Sequence, residues 1–231
     1  MPAVDDPRSL AEIALFSDLP PEDLERLNNR LHRKRFPAGA GILTAEQPGE
    51  AIYVLLDGTV KIYVEKADGT EVILALLGAG DTVGEMSLVD SAGHSANVLA
   101  MERTTCLWLD RAGFQELLGN VPALSNSLVR ILSQRLRLAN EQVLALSTLD
   151  VNGRVARQIL AFGERYGKNL ESGDVIIPLR LTQSDLAGLV GASRERVNHA
   201  VVFFKQQSYI SVRRNHHIVV HDRDALAARC Q

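Results

Sequence analysis

Cysteine is scarce in this chain: Cys106 and Cys230 are the two among 231 residues. They make no disulfide framework, and two distant thiols cannot supply the roughly four ligands of a conventional iron–sulfur switch. Long apolar runs are missing as well. None approaches the roughly 20 residues a helix needs to span a bilayer. The start, Met1-Pro2-Ala3-Val4-Asp5-Asp6, has neither the basic opening nor the apolar block of a secretory signal. A reducing cytoplasm, with no membrane partner, is therefore the expected setting. Walker loops, Gly-x-Ser-x-Gly elbows and metal-ligand clusters are also absent, so no catalytic residue and no metal ligand is assigned and no enzyme is expected. Cys106, inside the apolar run Cys106-Leu107-Trp108-Leu109, reads as a buried packing residue. Cys230, next to last, reads as mobile.

What is present is unevenly distributed. Residues 1–150 carry 13 Lys and Arg against 21 Asp and Glu, a net of −8; residues 151–231 carry 12 against 7, a net of +5. An acidic front and a basic rear suit a polyanion bound at one end only. Apolar spacing at Leu10, Ile13 and Ala14, then at Leu24, Leu27 and Leu31, predicts two short helices. From Arg35 to Leu109 the period becomes two. Val60, Ile62 and Val64 alternate with Lys61, Tyr63 and Glu65, and Val72 and Leu74 alternate less cleanly with Glu71 and Ile73. Asp57-Gly58 and Asp68-Gly69 punctuate these strands as hairpin turns. Many short strands with glycine turns indicate an antiparallel roll or sandwich.

Pro122 opens a long helix, where its missing N–H had no partner to lose, and no Gly or Pro interrupts the chain up to about Thr148. Leu124, Leu128, Ile131 and Leu138 mark one apolar stripe; Leu132, Leu136, Val143 and Leu146 mark another. Two stripes call for two partners, the roll and the same helix of a twin subunit, with burial inside one monomer as the alternative. Leu149-Asp150-Val151-Asn152-Gly153 breaks the helix, with Asp150 as cap of the next one, from about Val151 to Tyr166. A turn-rich Gly167–Asp174 and a strand over Val175–Leu181 follow.

Residues Leu181–Ser208 then read as two helices joined by a tight turn. Thr182 and Asp185 have capping-box spacing, Gly191 suits a left-handed turn, and Ser193 caps the second helix. Its buried face is predicted as Val197, Ala200, Val201 and Phe204, and its free face as Arg194, Glu195, Asn198, His199 and Lys205. Such a face can bond to base edges or phosphates, or it can simply be wet. Tyr209–Val212 and His217–Val220 flank Arg213-Arg214-Asn215-His216, a hairpin with a basic tip whose arginines suit phosphate contacts.

The whole is α+β: an N-terminal antiparallel β-roll (jelly-roll) sensor over 1–120, a long dimerisation helix and hinge over 121–149, and a C-terminal winged helix-turn-helix over 150–231. This order resembles the CRP/FNR family of bacterial transcription regulators, over nearly the entire chain. Val83-Gly84-Glu85-Met86-Ser87-Leu88 resembles the family's cassette F-G-E-x-x-L, Leu149-Asp150-Val151-Asn152-Gly153-Arg154 its hinge L-D-V-x-G-R, and Leu189–Val197 its I-V-G-x-S-R-E-T-V motif. The resemblance implies a homodimer on double-stranded DNA with a two-fold symmetric site, half-sites about 10 base pairs apart, and RNA polymerase as a partner. By motif position Arg194 would read a guanine and Glu195 a cytosine amine. His199 stands where many relatives carry a basic residue, so the half-site is expected to depart there from a TGTGA-like sequence. Thr182 and Ser193 become phosphate contacts, and Arg196 joins the DNA-facing set.

For the roll, the resemblance implies a cyclic-nucleotide-binding-like site containing Gly84, Glu85, Met86, Ser87, His94, Ser95 and Asn140, with Glu85 on a ribose hydroxyl. Two departures stand out. The phosphate-binding arginine is replaced in Gly93-His94-Ser95-Ala96-Asn97, and the long helix offers Ala139-Asn140 where relatives often carry a threonine. Losing the charged donor costs roughly 1.5–3 kcal/mol. No cofactor is certain; a cAMP-like cyclic nucleotide is the candidate effector. A haem on His94 (a gas sensor), zinc at His216, His217 and His221 with Cys230 beyond, or a regulator that needs no effector, its roll serving as dimer scaffold or protein-contact surface, are the rivals. A redox role for Cys106 is disfavoured by apolar burial.

Overall fold

Period-two patterning yields strands in the computed structural model, which describes Ala3–Cys230; Met1 and Pro2 of the acidic start, and Gln231, lie outside the described residues. The strands are β1 (His32–Phe36), β2 (Gly41–Leu43), β3 (Ala51–Asp57), β4 (Val60–Glu65), β5 (Glu71–Leu77), β6 (Thr82–Val83), β7 (Asn97–Ala100) and β8 (Thr104–Asp110). They form two four-stranded sheets, β1-β8-β3-β6 and β2-β7-β4-β5. The paired registers are antiparallel. Strand structure begins at His32, three residues before the predicted change of period, because His32–Phe36 pairs with Trp108–Thr104. In β5 the inward residue is Ile73 while Leu74 is exposed, so the less clean alternation is resolved against Leu74.

Contacts divide the chain into two compact units: residues up to Val64 with Leu76–Leu138, and Glu65–Ala75 with residues from Ala139 onward. In the first, a 3-10 turn (Pro7–Glu12) takes the place of the first predicted helix, and α1 (Pro21–Arg30) follows. The fully buried Leu15, Leu27, Leu107, Phe114 and Leu124 join these elements to β8, α3 (Arg111–Asn120) and the start of the long helix that begins at Pro122. Between the strands lies the short α2 (Glu85–Val89). Helix α4 spans Pro122–Thr148. Leu124, Leu128 and Ile131 of the expected inner stripe are buried, but Leu138 is 38% exposed. Arg135 holds the intervening helical position and is only partly exposed. On the second stripe, Leu136 and Val143 are 63% and 64% exposed.

In the second unit Asp150 caps α5 (Val151–Tyr166), its Oδ1 accepting from the Gly153 N–H at 2.7 Å. The predicted turn-rich segment contains a two-residue strand, β9 (Lys168–Asn169), which pairs with β10 (Val175–Ile177). The latter stops four residues short of the predicted Leu181, since Pro178 brings no N–H to a ladder. Helices α6 (Gln183–Val190) and α7 (Arg194–Gln206) follow, then β11 (Ile210–Val212), β12 (Ile218–Val220) and α8 (Arg223–Ala227). The sheet order is β11-β12-β10-β9. Cys230 is not a loose end: it closes a 3-10 turn (Ala228–Cys230), with Sγ 3.5 Å from the Leu226 carbonyl oxygen.

Candidate functional sites in the two units

The helix pair in the second unit is fixed by its caps. Thr182 Oγ1 accepts from the Asp185 N–H at 3.2 Å, and Asp185 Oδ2 accepts from the Thr182 N–H at 3.1 Å, completing the capping box. Gly191 turns the chain at φ 60° and ψ 47°. A side chain there would meet both the left-handed strain and Leu146, 3.2 Å away. The last carbonyls of α6 are satisfied from outside the pair: Leu189 by Gln142 Nε2 and Val190 by an Arg154 guanidinium nitrogen, each at 2.8 Å. Ser193 Oγ accepts from the Arg196 N–H at 3.3 Å. Val197, Ala200, Val201 and Phe204 are all buried, so the predicted inner face of α7 is the observed one.

The opposite face is open. Arg194, Glu195, Arg196, His199 and Lys205 are exposed. Asn198 differs: it is half-buried, and its Oδ1 accepts from Gln183 Nε2 at 2.7 Å. Thr182 donates its hydroxyl to Asp185, so that proton is engaged at the cap. A groove of about 360 Å³ is lined by Arg194, Asn198, Val202 and Lys205 of α7, and by Val212 and His216 near the hairpin. The hairpin tip closes with the Arg213 N–H on the His217 carbonyl at 2.9 Å, leaving Arg213 and Arg214 exposed. The wing histidines diverge: His221 Nδ1 lies 3.1 Å from Asp174 and its Nε2 lies 2.9 Å from Ser211 Oγ. Among the described residues no three His, Cys, Asp or Glu side chains converge on a metal site. Gln183, Ser184 and Val202 are among the groove residues that motif spacing did not single out.

The cassette in the first unit is built around close backbone approach. Gly84 has φ 92°, and a Cβ there would lie 2.7 Å from the Ala51 carbonyl oxygen, so only glycine fits. Glu85 is 2% exposed. Its Oε1 accepts from Arg135 at 2.5 Å, and Arg135 also donates to the Thr82 carbonyl at 2.7 Å. Glu85 Oε2 and Arg135 Nε are buried without a hydrogen-bond partner among the described residues. Ser87 Oγ donates to the Gly84 carbonyl and lies 3.0 Å from His94 Nδ1. Arg111 braces the same turn, donating to the carbonyls of Gly49 at 2.7 Å and Ser87 at 2.9 Å. Burial, and then the Arg111 charge, hold His94 below the usual histidine range. Gly84, Glu85, Ser87 and His94 are thus brought together, whereas Met86, Ser95 and Asn140 are exposed. Arg135 and Arg111 were not foreseen. Cys106 is buried as predicted, and that burial pushes its thiol up to about 12.

The cyclic nucleotide-binding domain model matches residues 33–120, and the Crp-like helix-turn-helix domain model matches residues 153–229. A CRP-like cAMP-activated global transcriptional regulator of Mycobacterium tuberculosis is 32% identical over 222 residues, covering 96% of this chain and 98% of that protein. The chain belongs to the CRP/FNR family. A cyclic AMP receptor protein of Thermus thermophilus is 34% identical over 188 residues, 81% of this chain and 83% of its own length. Among solved CRP/FNR-like structures, FixK2 of Bradyrhizobium japonicum has a TM-score of 0.76 at 21% identity, covering 87% of this chain and 98% of its own. A CooA mutant of Carboxydothermus hydrogenoformans has 0.70 at 23%, covering 88% and 89%. At those identities the two structures speak for the fold alone. The chain is a CRP/FNR transcription regulator in which a cyclic-nucleotide-type roll is coupled to a DNA-binding helix-turn-helix. No helix among the described residues is long and apolar enough to cross a membrane.

Proposed function

We propose that this CRP/FNR regulator acts as a homodimer on a two-fold symmetric DNA site in the cytoplasm, with no catalytic step of its own. One observation carries the reading: α7 buries its apolar face completely and leaves Arg194, Glu195, Arg196, His199 and Lys205 exposed. Arg194 suits a guanine edge and Glu195 a cytosine amine. Ser193, exposed and with its oxygen capping α7, suits a phosphate, as do Arg213 and Arg214. The exposed Leu136 and Val143 of α4 support pairing with the same helix of a second copy. Leu136→Glu is expected to give a monomer by light scattering and to abolish operator binding. RNA polymerase is the partner that a promoter-bound regulator meets.

In the roll, the residues fit a cyclic nucleotide in one respect and resist it in another. The orphaned Glu85 Oε2, buried beside Arg135, suits a ribose hydroxyl donor. His94, whose pKa burial and then the Arg111 charge lower, offers a phosphate less charge than an arginine would. The reading is therefore a cAMP-like effector bound less tightly than an arginine at that position would allow. When bound, it would bias a two-state rearrangement of the helix-turn-helix rather than touch DNA. Operator binding followed by fluorescence anisotropy during a cAMP titration tests this: affinity should rise, and His94→Arg should shift the titration to lower cAMP. A second reading rests on Arg135, which already satisfies one Glu85 oxygen from within the protein. It is a regulator that binds its operator without effector, and a flat cAMP titration would select it.

A further inference from the structure

We infer that Val202 reads a thymine in each half-site through its 5-methyl group. The inference rests on the DNA-binding reading of α7. Seven positions of α7 are exposed, and six carry polar or charged side chains: Arg194, Glu195, Arg196, His199, Lys205 and Gln206. The seventh is Val202, 39% exposed. A β-branched residue there lowers helix propensity, and it is the one apolar side chain among the seven exposed positions of α7.

Its placement gives the reason. Val202 follows His199 by three residues, Asn198 by four and Glu195 by seven, so it shares their helical face. It lines the groove together with Arg194, Asn198 and Lys205. The two cations suit a polyanion. The apolar surface beside them suits an apolar group on that polyanion, and in the major groove the one apolar group that a base edge presents is the thymine 5-methyl. A cytosine there would press its amine against an isopropyl group and lose its hydrogen bond to water. Val202 therefore favours an A·T pair next to the bases read by Glu195 and His199, and does so by shape rather than by hydrogen bonding.

Removing the thymine methyl without touching any hydrogen-bonding group tests this directly. A duplex enriched from a random pool by the full-length protein, with and without cAMP, supplies the operator. Each thymine is then replaced in turn by uracil, and binding is measured for wild type and for Val202→Ala, whose thermal melting should match wild type. At one thymine per half-site, uracil should weaken wild type about fourfold, the worth of one buried methyl-sized group, and leave Val202→Ala unchanged. If both proteins give the same uracil profile on an enriched duplex, the inference is overturned while the DNA-binding reading stands. A pool that yields no enriched duplex under either condition overturns both.

Discussion

The cassette and the recognition helix put similar side chains to opposite uses. Around Glu85 the charges turn inward: the carboxylate meets Arg135, and Arg111 is spent on the Gly49 and Ser87 carbonyls. On α7, Arg194 and Arg196 face solvent, while the Ser193 cap, the inner face and the Gln183–Asn198 hydrogen bond tie the helix down. A charge buried beside its partner stabilises the fold mainly because removing the partner strands it. An exposed charge contributes little to stability and remains available to another molecule. The same residue type is structural in one unit and recognition-ready in the other, and burial decides which.

The sharpest way to break this contrast is to remove one charge from each region. Arg135→Ala leaves Glu85 buried and unpaired. It should cost about 3 kcal/mol in urea unfolding, the lower end for a broken buried pair because Arg135 keeps some solvent contact. Glu85→Ala with Arg135→Ala should cost clearly less than the two single changes added together. Arg194→Ala should leave the unfolding midpoint within about 0.5 kcal/mol yet cost about 1–3 kcal/mol in operator binding and relax one base position. An Arg194→Ala protein that unfolded as easily as Arg135→Ala, or that kept full operator discrimination, would erase the distinction.

What could be read from sequence follows the same division. Thr182, Asp185, Gly191 and Ser193 lie within one short segment, and their spacing alone dictates the caps, the turn and the face that α7 leaves open. The Glu85–Arg135 pair joins residues 50 positions apart, and local spacing carries no such information. A trace of it exists nonetheless. Arg135 stands four residues after Ile131, on the apolar stripe of Leu124 and Leu128, and a cation on a buried stripe asks for a carboxylate. Leu138 was assigned to that stripe instead, and it proves exposed. The strand predicted to Leu181 failed for a local reason that the sequence did contain, Pro178. Ile73 and Leu74 could not be sorted by alternation, because both are apolar.

A smaller effect separates steering from reading within the DNA face. Arg213 lies exposed at the hairpin tip. Arg213→Ala should weaken binding to all duplexes alike, operator and random sequence included. It should also lower the slope of log affinity against log salt by about 1, the signature of one released counterion. Arg194→Ala should instead penalise the operator far more than random duplex. Equal losses on both duplexes for both variants would mean that α7 steers and does not read.

The smallest expected effect belongs to His94 and tests the cassette side. Burial first, then Arg111, lower its pKa below the ordinary value of 6.5. The folded protein therefore holds it neutral over a range where the unfolded chain already binds a proton. That term is fully present above the unfolded pKa, so it is undiminished at pH 8. It is lost as pH falls through 6.5 toward the lowered folded value, because there the unfolded state takes up protons first. His94→Gln removes the titration while keeping a side chain able to bond Ser87. Urea unfolding at pH 8 and pH 5 should show wild type losing more stability than His94→Gln between the two. Equal losses would mean that the cassette leaves His94 as well solvated as the unfolded chain does, and the proposed weak binding of a phosphate would lose its support.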